Sequence, residues 1–219
     1  GVKTRRGDLA DRAAVLAAAE GCDIVFHAGA KAGVWGPAEE FERTNVDGTR
    51  FVIEACRRWR IRRLVFTSSP SVVFGGADIE GGDESLPYPE SFDADYPRSK
   101  AAAERLVRAA AGPELATVSL RPHLIWGPGD NHILPRLIAK RRAGELRRVC
   151  GPPKRVDSVY IDNAADAHLA AADRLARDSP VSGKVYFISN GEPMPLWELI
   201  DALLRAARLE PVDRAISPR

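Results

Sequence analysis

Short β-rich apolar runs alternate with amphipathic helical stretches along nearly the whole chain. That alternation leaves few folds open, because a parallel sheet must be covered by the helices that connect its strands. The pattern predicts helices over 11–20, 37–59, 133–143, 163–176 and 196–208, and a further helix that carries Lys100 and Glu104 and stops at Gly112-Pro113. Strands are expected over 23–27, 63–68, 116–120, 156–160 and 184–189. Pro37 suits a first helical turn, and Arg57, Arg58 and Arg60 suit the negative pole at the other end of that helix. A glycine-rich loop over 28–36, a long Gly/Pro/Asp-rich loop over 70–95 and a turn at Trp126-Gly127-Pro128-Gly129-Asp130 separate these elements. After residue 122 the units become less regular, so a domain over 1–122 is expected to be followed by a smaller one over 123–219, with strand 184–189 returning to the main sheet.

Charge and cysteine content exclude several functions. With 32 basic and 30 acidic residues the net charge is +2, too small to recruit nucleic acid or an anionic membrane. The basic runs 57–63 and 140–142 fall at helix C-terminal ends, where cations are stabilised without any ligand. Apolar runs such as Leu64-Val65-Phe66 and Val72-Val73-Phe74 are far too short to span a bilayer, and the charged start carries no apolar leader. Cys22, Cys56 and Cys150 are odd in number and widely spaced, which predicts reduced thiols in a cytoplasmic protein and no metal site.

The chemistry concentrates in Tyr96-Pro97-Arg98-Ser99-Lys100 and in Thr67-Ser68-Ser69, which ends an apolar run. A phenol titrates near about pH 10 and needs help to exchange a proton at neutral pH. A lysine four residues on shares its helix face and favours the phenolate, while a serine hydroxyl holds the reacting oxygen. The proline disfavours helical backbone at Tyr96, so Tyr96 is expected at the helix cap with Lys100 one turn in. Carboxyl ends of parallel strands border ligand crevices, which would bring Ser69 and Tyr96 to one rim. Asn45 reads as a structural side chain holding backbone, His27 as a packing histidine, and His123 and His132 as residues bordering the site.

These segments, in order, resemble the extended short-chain dehydrogenase/reductase superfamily of the NAD-dependent epimerase/dehydratase and 3β-hydroxysteroid dehydrogenase type. The resemblance runs through Gly7-Asp8-Leu9, Val25-Phe26-His27-Ala28-Gly29-Ala30, Asn45-Val46-Asp47-Gly48-Thr49, the Ser69 strand, Tyr96 with Lys100, Leu120-Arg121-Pro122 and Val159-Tyr160-Ile161-Asp162-Asn163. It implies a Rossmann-like, doubly wound parallel sheet with a smaller α/β substrate domain. It also implies catalysis by Ser69, Tyr96 and Lys100, and cofactor contacts from Asp8, Leu9, Ala28, Gly29, Ala30, Lys31, Asn45, Tyr96, Lys100, Pro122 and Leu124. NADPH is the cofactor expected over NAD, with no metal. A homodimer through the helices after Pro37 and Tyr96 is expected as well.

One family feature is missing. Gly29, Gly33 and Gly36 follow a strand, but their G-x-x-x-G-x-x-G spacing is not the G-x-x-G-x-x-G of a pyrophosphate loop. The first βαβ unit is therefore expected upstream of Gly1, and these 219 residues alone are expected to bind a dinucleotide poorly. Ser69 is followed by Pro70-Ser71 and not by the Asp-Glu pair of sugar dehydratases. Leu124 stands where epimerases carry the Asn of R-x-x-N. An apolar small molecule is thus the expected substrate. The resemblance implies a ketone on a long-chain β-keto acid first and a 3-ketosteroid second, with sugar epimerisation or a non-catalytic cofactor sensor behind them.

Overall fold

The computed structural model describes residues 2–33, 35–131 and 133–217; His132, named above, lies outside the described residues. In chain order its elements are α1 (Arg12–Ala19), β1 (Val25–His27), α2 (Ala38–Phe41), a π-helical turn (Glu42–Asp47), α3 (Gly48–Arg58), β2 (Arg63–Thr67), a 3-10 turn (Pro70–Val73), α4 (Asp95–Ala110), β3 (Ala116–Pro122) and β4 (Ile125–Trp126). There follow α5 (Ile133–Arg142), β5 (Arg148–Val149), β6 (Arg155–Val156), β7 (Val159–Tyr160), α6 (Ile161–Arg174), β8 (Lys184–Ile188), β9 (Met194–Pro195), α7 (Leu196–Ala206) and β10 (Ala215–Ile216).

The chain forms two compact units, one of residues 1–122 and 166–188, the other of 123–165 and 189–219. β8, the strand expected to return to the main sheet, and most of α6 both belong to the first unit.

In the first unit β1, β2, β3 and β8 make a fully parallel sheet in that order. Side chains alternate across a strand, and β2 obeys that period on two buried faces. Leu64 and Phe66 pack with Val15, Val52, Ile53, Cys56 and Val107 from the helices on one face. Val65 joins Val118, Leu120, Ala172 and Leu175 on the other. Asp11 caps α1 by accepting from the Ala13 and Ala14 backbone N–H groups, and the Trp59 indole N–H donates to the Leu16 carbonyl at 2.8 Å, tying α3 to α1.

The helix expected over 37–59 is not continuous. Its backbone widens into the π-helical turn Glu42–Asp47, a form that concentrates at functional sites. Thr49 Oγ1 donates to the Asn45 carbonyl at 2.6 Å, so the widened turn leaves that acceptor satisfied. At Gly48 a Cβ would come within 3.1 Å of Leu9 Cβ and 3.2 Å of the Leu9 carbonyl oxygen, and at Gly29 within 2.7 Å of Leu9 Cδ1. Gly48 therefore lets the Leu9 backbone approach closely, whereas the contact at Gly29 is only with the flexible end of the Leu9 side chain.

The second unit is built from three short strand pairs, β4 with β7, β6 with β9, and β5 with β10, together with α5 and α7. Trp126 stacks edge-on against Tyr160 at 5.1 Å between ring centroids and donates to Ser158 Oγ at 3.1 Å. Among the described residues no helix is long and apolar enough to cross a membrane.

Candidate active site

α4 begins at Asp95, with Ala94 extended at its N-cap, so Tyr96 is already the second helical residue and not the cap. Pro97 itself is tolerated there because it falls in the first turn, where backbone N–H groups lack intrahelical partners and a missing donor costs nothing. Ser69 sits just beyond β2 in extended backbone and caps the 3-10 turn: its Oγ accepts from Ser71 N–H at 3.2 Å and lies 2.8 Å from Ser71 Oγ. Burial raises the Tyr96 phenol above its ordinary value, and hydrogen bonding from Ser69 opposes that rise.

Lys100 is directed elsewhere than expected. Its ammonium donates to the Thr67 carbonyl at 2.7 Å and lies 4.2 Å from the centre of the Phe66 ring, with the residue only 3% exposed. Burial pulls it down to about 7, with Glu104 opposing. Burial and Ser69 are the main influences on the Tyr96 phenol in this arrangement. The Thr67 side chain points to the opposite face and meets His168 Nε2 at 2.7 Å.

Asn45 joins the loop after β1 to the start of α4. Its Oδ1 accepts from Lys31 N–H at 2.7 Å, while its Nδ2 donates to the Lys31 carbonyl at 3.1 Å and to Ser99 Oγ at 2.9 Å. Ser99 Oγ in turn donates to the Tyr96 carbonyl at 2.9 Å. One buried amide therefore holds Ala28-Gly29-Ala30-Lys31 against the turn that carries Tyr96 and Lys100. Lys31 Nζ pairs with Glu40 at 2.5 Å. Asp8 accepts from Ala10 N–H at 3.0 Å and lies 3.9 Å from Arg43.

His27 is 4% exposed, with Nε2 2.9 Å from Thr49 Oγ1. That hydroxyl gives its proton to the Asn45 carbonyl, so it accepts from His27, which makes Nε2 the protonated ring nitrogen. Burial, reinforced by the Lys100 charge, pulls the imidazole from 6.5 down to about 3. Between those values the unfolded chain binds the proton and the folded chain does not, so stability is lost as pH falls. The wild type is expected to lose about 2 kcal/mol from this group between pH 6.5 and 5, read from urea midpoints. His27→Gln is expected to flatten that slope. His123, also lowered by burial with Asp157 opposing, adds to both profiles, so their difference isolates His27.

Sequence reasoning missed a buried polar network beside the pair. Arg121 Nε donates to Glu104 Oε2 at 3.0 Å and Nη2 to Oε1 at 2.6 Å, the two side chains being 1% and 0% exposed. Tyr88 donates to Glu104 Oε1 at 2.7 Å, and the Phe187 ring lies 5.2 Å from the guanidinium carbon. The signal was Glu104 one turn beyond Lys100 on a helix face whose other members are buried. Pro122 ends β3 opposite Ile188. Leu124, in the second unit, holds a left-handed backbone with φ 45°.

The 3-beta hydroxysteroid dehydrogenase/isomerase family matches residues 1–216, and the chain belongs to that family. It is 52% identical over 219 residues to the 2-alkyl-3-oxoalkanoate reductase of Stenotrophomonas maltophilia, a match covering 99% of this chain and 66% of that protein. It is 38% identical over 207 residues to the human sterol-4-alpha-carboxylate 3-dehydrogenase (decarboxylating), covering 93% of this chain and 56% of the relative. The chain thus spans about two thirds or less of the curated relatives it matches. Among solved structures, MoeE5 in complex with UDP-glucose and NAD superposes with a TM-score of 0.79 at 29% identity, over 98% of this chain and 72% of that one. The fold is the Rossmann-like α/β sheet of the NAD-binding epimerases and dehydratases.

Proposed function

We propose that this chain carries the proton-handling half of a nicotinamide-dependent ketone reductase acting on long-chain 2-alkyl-3-oxoalkanoates. The observation that carries the reading is the placing of Tyr96 and the buried Lys100 one turn apart at the start of α4, with Ser69 just beyond the carboxyl end of β2 and its hydroxyl acting on the Tyr96 phenol. The donor set suits a dinucleotide's nicotinamide ribose: an ammonium has three donors, of which Thr67 takes one, and the Tyr96 hydroxyl lies one turn away. Tyr96, Lys100 and the Asn45-held loop at Ala28 to Lys31 would hold that cofactor, with Asp8 and Leu9 toward its adenosine end and Pro122 and Leu124 as the remaining contacts. When bound, the cofactor supplies hydride to the ketone carbon. Ser69 orients the carbonyl oxygen, and Tyr96 gives its proton to that oxygen as negative charge develops. Lys100 keeps a positive charge close by, which favours the phenolate left behind.

Two features support an apolar substrate: Leu124 in place of the Asn that grips a sugar nucleotide, and 52% identity to a protein named for 2-alkyl-3-oxoalkanoates. A 3-ketosteroid is the second reading, favoured by identity to the sterol dehydrogenase. NADPH is preferred over NADH in this proposal, and the helices α3 and α4 are proposed to pair in a homodimer. Assaying the full-length protein with 2-alkyl-3-keto acids and with 3-ketosteroids, under NADPH and NADH in turn, tests the reading. Turnover of steroids alone would replace the substrate, and turnover of neither would end the assignment.

A further inference from the structure

Helix α4 places three groups in line on one face: the half-buried Tyr96, buried Lys100 one turn on and buried Glu104 one turn beyond. A lysine ammonium at 3% exposure is expensive to keep charged. Among the described residues, what faces it from each neighbouring element is limited. From β2 come the Thr67 carbonyl and the Phe66 ring, and from β1 comes His27, which is neutral. From its own helix come Tyr96 and Glu104, and Glu104 is the acidic group that acts on it. That carboxylate cannot swing away, since both oxygens are held by Arg121 and one also by Tyr88, whose hydroxyl accepts from Arg108 Nη1 at 3.2 Å.

The arrangement is a charge relay by position, plus, minus, plus, from Arg121 through Glu104 to Lys100. Salt-bridge strength alone does not explain it: an apolar pair of similar volume would serve the core as well or better than a buried Arg–Glu pair. We propose that Glu104 is a positioning residue for the reductase reaction, a fixed buried carboxylate whose charge keeps Lys100 protonated beside Tyr96. Arg121 is the clamp that keeps Glu104 ionised and aimed. This rests on the reading of Tyr96 and Lys100 as the proton-handling pair.

The test compares three full-length proteins: wild type, Glu104→Gln, and the double variant Glu104→Gln/Arg121→Met, in which neither member of the Arg121–Glu104 pair is left charged without the other. Two readouts are taken, the pH profile of kcat/KM for ketone reduction with NADPH, and the NMR titration of Lys100 in protein labelled with ¹³Cε-lysine, assigned with Lys100→Arg. Both variants are expected to match wild type near pH 6 and to fall roughly tenfold below it at pH 8. The Lys100 resonance is expected to titrate at lower pH in each. A purely structural pair predicts the opposite: the apolar repair in the double variant would restore both the alkaline limb and the lysine titration, and that result overturns the proposal. Failure of both variants to fold would likewise assign Glu104 to structure alone and overturn it. If the wild type reduces no ketone, the functional reading falls, while the lysine titration still decides whether Glu104 holds the charge.

Discussion

Tyr96→Phe is expected to lower kcat/KM for ketone reduction by about 10²- to 10⁴-fold, the range for removing a positioned general acid. The phenol is the most acidic hydroxyl in the site, and hydrogen bonding from Ser69 acts on it. Its burial raises the phenol, which keeps Tyr96 in the proton-bearing form through neutral pH, as a donor to a reduced carbonyl requires. The substitution removes one oxygen and leaves the ring in place, so α4 and the Asn45 clamp on Ser99 and Lys31 should stay intact. KM for the ketone should change little and NADPH binding should lose only the single contact of the phenol, so that most of the loss appears in kcat. Single-turnover measurement separates the cases: an unchanged rate of hydride transfer would remove Tyr96 from the proton step.

The second large effect is on stability. Arg121→Ala is expected to cost about 3–5 kcal/mol, because it strands the Glu104 carboxylate in a site with no exposure. In the wild type, burial pushes Glu104 up, but hydrogen bonds and charge from Arg121 outweigh it and hold the carboxyl below its ordinary value. Without Arg121 the burial is still opposed by the Tyr88 hydrogen bond, and the folded chain takes up a proton more readily. A depressed folded pKa stabilises above the unfolded value and loses that stability as pH falls; a raised one does the reverse. The difference between variant and wild type should accordingly be greatest at neutral pH and shrink as pH drops through the carboxylate range. Urea midpoints at pH 7 and pH 4.5 check both the size and the sign, and a penalty that grows toward acid would contradict the account.

These two sites were unequally legible in the amino-acid sequence. Tyr96, Lys100 and Ser69 could be read because a helical spacing and a strand end are local patterns. The parallel sheet followed from alternating β-rich and helical runs in the same way, and strand β8 joins it as the pattern predicts. The π-helical turn at 42–47 could not be read, since it depends on a Thr49 hydroxyl taking the Asn45 carbonyl while the Asn45 side chain faces two other segments. Nor could the direction of the Lys100 ammonium, which is decided by a backbone carbonyl on β2.

Local periodicity and residue chemistry determined by themselves the strands of the main sheet and most of the helices, and which side chains are able to move a proton; the strand expected over 156–160 is instead two short ones with different partners. The tertiary structure alone decided the rest. Ser99 meets an amide 54 positions away, and Arg121 closes on Glu104 across 17. Such partners are set by how α4 lies on the sheet. Burial, which moves His27 to about 3 and Lys100 to about 7, is a property of that packing and is written in no single stretch of chain.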